Sequence, residues 1–356
     1  MTAEEFPELI PGLPEEIAME CLIRLHFTAH GVASGVCRRW RQLVRSREFY
    51  YHRKQTGHTR KAACLIQALQ APESELAVGK PVGPARYGVS LFDPVNESWE
   101  RVDPVPDYAD GLPLFCQVTS SEGKLVVMGG WDPVDYHPVS HVFVYEFTTR
   151  RWRRGKSMPA ARSFFAAGEW DGKVVVAGGH DENKNALKSA WVYDVKGDEW
   201  RELAAMSQER DECEGVVIGS EFWVVGGYRT ESQGEFEDSA EAIDLSAGAS
   251  EWRRVEGVWK AGQCPRSCLG VTTIPKGGKS GGGLALFNWA EMGGGAVKVG
   301  ACGVQLGAGM TLVSGSAYQG GPQGFYAVEG QNGKWNKVSV PRQFAGFVQS
   351  GCSAEV

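Results

Sequence analysis

Short apolar runs separated by polar turns recur along most of the chain with a period near 50 residues, which marks a repeat architecture. KLVVMGG (124–130), KVVVAGG (173–179) and EFWVVGG (221–227) set glycine pairs at 129/130, 178/179 and 226/227, spaced 49 and 48 residues. Tryptophans keep the same interval. Trp99, Trp152, Trp200 and Trp252 are spaced 53, 48 and 52 residues, and a further copy ends at Trp335. A hydrophobic residue followed by an acid precedes each of them: Phe92-Asp93, Tyr145-Glu146, Tyr193-Asp194, Ile243-Asp244 and Val328-Glu329.

Each unit reads as four short strands, clearest over residues 163–208. SFFAAGEW alternates, Asp171-Gly172 makes a tight hairpin turn, and KVVVAGG is a strand buried on both faces; SAWVYDV and EWREL follow. The glycine pair suits a strand end pressed on neighbouring backbone, and the tryptophan supplies an apolar wedge between sheets. These residues are structural. A decayed unit over 266–301 gives six blades, with five as the alternative. The first unit lacks a clear first strand, and FAGFVQSG (344–351) is predicted to supply it, closing the ring and removing its open edges.

Before residue 61 the pattern changes to helical spacing. Pro14 suits a first helical turn, Glu15 and Glu16 favour its positive end, and Ile17, Cys21 or Leu22, and Leu25 share a face. A second helix is predicted over Val32–Val44, aligning Val36, Trp40 and Leu43/Val44. Sixty residues cannot bury so much apolar face alone, so this segment needs a partner. The domains expected are residues 1–60 and 61–356.

Formal charge is −6, divided as +2 over residues 1–60 and −8 over the rest. Neither part is basic enough for a phosphate-neutralising surface, so a protein partner is favoured over nucleic acid. The nine cysteines are scattered without a CxxC pair, as in a reduced compartment. No secretory signal or run of about 20 apolar residues is seen, so the expectation is a soluble protein of cytoplasm or nucleus, away from membranes.

The repeat resembles the kelch motif over roughly residues 61–350, implying an all-β propeller. LPEEIAMECLIRL, VCRRWRQLV and SREFY resemble the F-box over about residues 9–50, implying a small all-α domain that docks on a Skp-type adaptor and through it a cullin. By that resemblance Leu13, Pro14, Ile17, Leu22, Leu25, Val36, Trp40 and Leu43 would form the docking face, flanked by Arg38, Arg39 and Arg41. Gly31 and Gly35 depart from a helix-favouring sequence. The order F-box then kelch, with a short connecting loop, resembles a compact plant subfamily implicated in turnover of phenylalanine ammonia-lyase or of type-B cytokinin response regulators. The function implied is substrate recognition for an SCF-type ubiquitin ligase. A kelch scaffold outside any ligase is the alternative.

The expected substrate surface is the propeller face bearing the loops after each glycine pair and the loops leading into each first strand. Its candidates are Trp131, Asp135, Tyr136 and His137; His180, Asp181 and Lys184; Tyr228, Arg229 and Glu231, each alternatively an ordinary solvated loop residue. Arg162, Arg210, Arg266 and Arg342 recur near the first strands and are expected to ring the channel mouth, either gripping an acidic or carbonyl-rich segment or pairing with neighbouring blades. Enzymatic readings fail on residues: GGKSGGG (277–283) lacks the earlier glycine of a phosphate loop, and His26/His30 or His137, His141 and His180 gather no further ligands. Neither a metal, a cofactor nor catalysis is expected.

Overall fold

The computed structural model describes residues 8–70, 85–246, 251–274, 283–292, 295–307, 309–330 and 333–356. All of GGKSGGG except Gly283 lies outside them. The N-terminal segment forms α1 (Glu15–Ile23), α2 (His30–Val36), α3 (Arg38–Val44) and α4 (Arg47–Gln55). The helix predicted over 32–44 is broken at Cys37, whose backbone is extended (φ −153°, ψ 171°) and whose sulfur accepts from Trp40 N at 3.4 Å to start α3. Two glycines in α2 leave it too weak to run on through that cap. Leu9, Ala18, Leu22, Ile23, Ala33, Val44 and Phe49 form the helical core.

The rest is a five-bladed propeller of four-stranded antiparallel sheets. Blade 1 holds β1 (Lys61–Ala68), β2 (Tyr87–Asp93) and β3 (Ser98–Arg101); blade 2 holds β4 (Gln117–Ser121), β5 (Lys124–Met128), β6 (Val142–Glu146) and β7 (Arg151–Gly155). Blade 3 follows with β8 (Ala166–Trp170), β9 (Lys173–Ala177), β10 (Ala190–Asp194) and β11 (Glu199–Leu203), and blade 4 with β12 (Glu214–Ile218), β13 (Glu221–Val225), β14 (Ala240–Asp244) and β15 (Arg253–Val255). A reduced unit of β16 (Leu269–Ile274), β17 (Gly283–Asn288) and the short α5 (Trp289–Met292) comes next. Blade 5 holds β18 (Val299–Gly307), β19 (Met310–Ser316), β20 (Gly324–Glu329) and β21 (Trp335–Lys337).

The chain ends in β22 (Val348–Glu355), which pairs antiparallel with β1 from Lys61↔Glu355 to Gln67↔Val348 and becomes the innermost strand of blade 1. The two ends of the propeller sequence thus share one sheet. The sixth unit expected over 266–301 is the reduced one. AVKVGAC does not complete it, because β18 pairs with β19 instead. Trp289 fills the space between blades 4 and 5, packing with Trp223, Trp259, Val297 and Val313.

The repeat residues explain ring closure. Asp171 and Gly172 (φ +48° and +76°) make the mirror-image turn that suits a two-residue hairpin. In blades 1 to 4 the repeat tryptophan donates its indole N–H to a carbonyl where the preceding blade ends: Trp152 to Asp103 (2.6 Å), Trp200 to Lys156 (2.8 Å), Trp252 to Ala204 (2.7 Å) and Trp99 to Ser339 (3.2 Å). In blades 1 to 3 the aromatic residue seven positions earlier packs on that indole, as Tyr193 does on Trp200 at 4.9 Å. At the glycine pairs both φ values are positive, and a Cβ on Gly130 would lie 2.5 Å from the Leu114 carbonyl oxygen. Only glycine fits there.

Candidate functional site

The helical segment sits beneath the face formed by the β4–β5 and β8–β9 hairpins. From α4, Arg47 donates to Glu122 at 2.7 Å, Tyr51 to Glu122 at 2.9 Å, and Lys54 pairs with Glu355 at 2.9 Å. Phe27 meets Phe147 edge-on at 6.4 Å, and Gly31 lies against Arg150. Arg53 is buried and donates to the carbonyls of Ile23, Leu25 and His58, tying α4 to both α1 and the chain entering β1. Burial, reinforced by Arg53, pulls His30 down to about 4, so it is neutral at pH 7. The docking module is braced on the ring.

Its outer surface keeps apolar side chains in water. Ile17 on α1 is 50% exposed, and Val32 and Val36, one turn apart on α2, are 78% and 61% exposed. Pro14 is exposed beside Ile17. Of the residues expected to dock, Leu22 is core at 1% exposure, because its turn of α1 faces Val44 and Phe49. Leu13, Leu25, Trp40 and Leu43 are half-buried against that core, and the Trp40 indole donates to Leu9 O at 2.6 Å. The apolar side chains left in water are therefore Pro14, Ile17, Val32 and Val36. Val32 escaped the sequence reading because it lies between two glycines.

On the opposite face, the arginine ring does not form. Arg162 and Arg210 are fully buried and clamp the loops of their own blades. Arg162 donates to Gly178 O (3.1 Å), Ser189 O (3.3 Å) and Ser189 Oγ (3.0 Å); Arg210 makes the equivalent bonds to Gly226 O (2.8 Å), Ser239 O (3.2 Å) and Ser239 Oγ (2.9 Å), and pairs with buried Glu241 at 3.2 Å. Their own carbonyls accept from Gly130 and Gly179 of the preceding blades. Burial lowers Arg162 to about 10, which leaves it charged at neutral pH. Both are withdrawn as ligand contacts. Arg342 stands exposed on a 3₁₀ turn (Arg342–Phe344), outside the register of the other three.

The channel mouth is built instead by the residue two places after that arginine position. Phe115, Phe164, Glu212 and Ser267 share a left-handed backbone (φ +57°, +56°, +51° and +58°). The first three stand fourteen residues before the first glycine of their blade's pair, a spacing legible in the sequence. Phe115 and Phe164 stack at 4.4 Å, and Trp131 lies edge-on to both, at 5.4 and 5.5 Å. The Trp131 indole donates to His180 Nε2 at 3.1 Å, which places the His180 proton on Nδ1, 2.9 Å from Asp211. This chain joins blades 2, 3 and 4. Tyr228 is buried and its hydroxyl donates to Glu212 at 3.2 Å.

Among the other loop candidates, Asp181 caps its own turn by accepting from Asn183 N and Asn185 N, and Arg229 is ion-paired with Glu237 at 3.3 Å. Tyr136 and His137 are exposed at the rim. Arg266 reaches over the mouth, its guanidinium carbon 4.3 Å from the Phe164 ring centre. Beneath lies the central channel, about 610 Å³, lined by inner-strand residues including Thr119, Glu214, Val216, Gln305 and Cys352. Among the described residues, no group of three or more His, Cys, Asp or Glu is placed to hold a metal, and no helix is long and apolar enough to cross a membrane.

The helical segment leaves apolar side chains exposed at one end of the propeller, and the loop face lies at the other. The model of the F-box domain matches residues 10–52, and that of the KLHDC2/KLHL20/DRC7 Kelch-repeats domain matches residues 79–277. From Arabidopsis thaliana, F-box/kelch-repeat protein At1g15670 is 36% identical over 98% of this chain and 100% of its own length. F-box/kelch-repeat protein SKIP20 is 39% identical over 71% of this chain and 67% of its own. The chain belongs to the F-box/kelch-repeat protein family. Proteins of this kind serve in general as non-catalytic substrate adaptors of SCF ligases, the F-box implying a Skp-type adaptor and cullin and the propeller a substrate.

Proposed function

We propose that this chain is the substrate-recognition subunit of an SCF-type E3 ubiquitin ligase, with no side-chain chemistry of its own. The observation that carries the reading is the placement of its two unsatisfied surfaces at opposite ends of one braced body. Ile17, Val32 and Val36 stand exposed on the helical segment, and the aromatic mouth lies on the propeller face away from it. A receptor so built accelerates transfer by holding substrate near the cullin-bound machinery, an effect of proximity. The substrate we propose first is phenylalanine ammonia-lyase, which would place the protein in control of phenylpropanoid synthesis; a type-B response regulator is second. Both rest on the resemblance to the compact plant subfamily. Action in cytoplasm or nucleus is part of the proposal and accords with nine free cysteines.

The test is co-purification with a plant Skp-type adaptor, comparing wild type with Ile17→Asp/Val36→Asp. These side chains already face water, so the double variant should keep its melting temperature and lose stoichiometric capture. No capture by wild type would leave the kelch interaction scaffold. The lifetime of phenylalanine ammonia-lyase in cells expressing either chain tests the substrate. It should lengthen with the double variant, and an unchanged lifetime beside a lengthened one for a type-B regulator would transfer the assignment.

A further inference from the structure

The reduced unit changes what an arginine can do. Glycine spacing puts Pro113, Arg162 and Arg210 at equivalent positions, sixteen residues before the first glycine of each pair. In the reduced unit that place belongs to Pro265, whose ring would meet a Cβ on Gly226, as the Arg210 carbonyl would meet one on Gly178. Arg266 comes one residue later, where Ser163 and Asp211 stand in blades 3 and 4. The internal loops that Arg162 and Arg210 clamp have no counterpart here, since β17 runs directly into α5. Arg266 is thus released from the duty its neighbours perform and extends across the mouth.

Its surroundings are aromatic and unevenly polar. The Phe164 ring lies under the guanidinium, with Phe115 stacked beside it. Arg266 Nη1 is buried and has no hydrogen-bond partner among the described residues. The nearby carboxylates bond other donors: Asp211 pairs with His180, Glu212 accepts from the Tyr228 hydroxyl and Cys264, and Glu214, which feels the Arg266 charge without a hydrogen bond to it, accepts from Ser267 N at 2.5 Å. A desolvated guanidinium donor without an acceptor is costly, and a carboxylate is its strongest partner. The left-handed backbone at Phe115 and Phe164 belongs to the repeat, since Glu212 and Ser267 share it; what sets this side of the mouth apart is the pair of phenyl rings placed there.

We propose that this mouth is a recognition pocket for a peptide segment in which an acidic side chain adjoins a large apolar one. The carboxylate pairs with the half-exposed Arg266 guanidinium, and the apolar side chain covers the Phe115–Phe164 pair. This deepens the receptor reading and rests on its assignment of this face to substrate.

The test uses the full chain on an immobilised array of decapeptides, each carrying one Asp or Glu and one Leu or Phe at varied separations in an alanine–serine background, beside matched Asn and Gln peptides. Wild type should favour acidic over amide peptides by roughly tenfold when the two residues are within about two positions, as a charge-assisted bond predicts. Arg266→Gln should abolish that acidic preference and keep the apolar one, whereas Phe115→Ala should do the reverse. Arg266→Lys, the variant of choice if Arg266→Gln melts early, should retain a weaker acidic preference. Equal binding of acidic and amide peptides by wild type, or an acidic preference surviving Arg266→Gln, would overturn the pocket. Adaptor capture is scored on the same preparations. A chain that reads acidic peptides but captures no adaptor refutes the ligase role alone.

Discussion

In blade 3 the arginine two residues before the left-handed turn is fully buried, bonded to Gly178 and Ser189, and covered by the next blade's packing. In the reduced unit proline takes that place, and the arginine beside it lies over an aromatic ring at the channel mouth. One residue type, at nearly the same place in the repeat, is spent on blade packing in the first case and, in the second, keeps a donor from which no described residue accepts. Where a repeat is complete its polar side chains are consumed internally. Where the repeat loses its second half they become available, because the carbonyls that would have held them are gone.

The sharpest way to break this comparison is Arg210→Ala. It strands Glu241 in a buried position and should cost about 3–5 kcal/mol, read as a large drop in the denaturation midpoint. A midpoint near wild type would remove the clamp assignment. Next, Gly179→Ala adds a Cβ against the Ser163 carbonyl on a backbone at φ +82°, whereas Gly234→Ala has the same hand (φ +84°) with open space around it. The first should cost about 2–3 kcal/mol and the second about 1, so chemical denaturation of the pair separates crowding from backbone strain. Trp200→Phe removes the indole bond to Lys156 O and should cost about 1 kcal/mol, a small fall in thermal midpoint with the propeller's circular dichroism unchanged. Arg266→Ala should not lower the thermal midpoint, because it removes a buried donor that has no acceptor together with a single ring contact. A lowered midpoint would mean that Arg266, too, is part of the scaffold.

Much of the fold was legible because its signals are local and periodic. Glycine pairs need positive φ and close backbone approach, the tryptophans bridge consecutive blades, and Asp171-Gly172 specifies its hairpin. The closing strand could be anticipated because one unit lacked a first strand and the C-terminus had one to spare. The site was less legible. Loop residues such as His180 and Tyr228 look like surface residues in the sequence, yet the structure buries both. Phe164 falls within SFFAAGEW, which reads as an alternating strand, and nothing in the local pattern singles out Phe115, although the fixed distance of both from the glycine pairs marks them as mouth residues. In the F-box, helical periodicity located the apolar face without separating Leu22, which fills the core, from Val32 and Val36, which do not.

The sequence by itself determined the repeat, the all-α segment ahead of it and the residues that bind one blade to the next, since each depends on spacing along the chain. Only the tertiary structure decided which arginines are clamps, which apolar side chains stay in water and which end of the propeller faces the F-box. Those outcomes turn on a one-residue offset between Pro265 and Arg266 and on how neighbouring elements cover one another, and burial of that kind is a property of the packed ring, not of any segment within it.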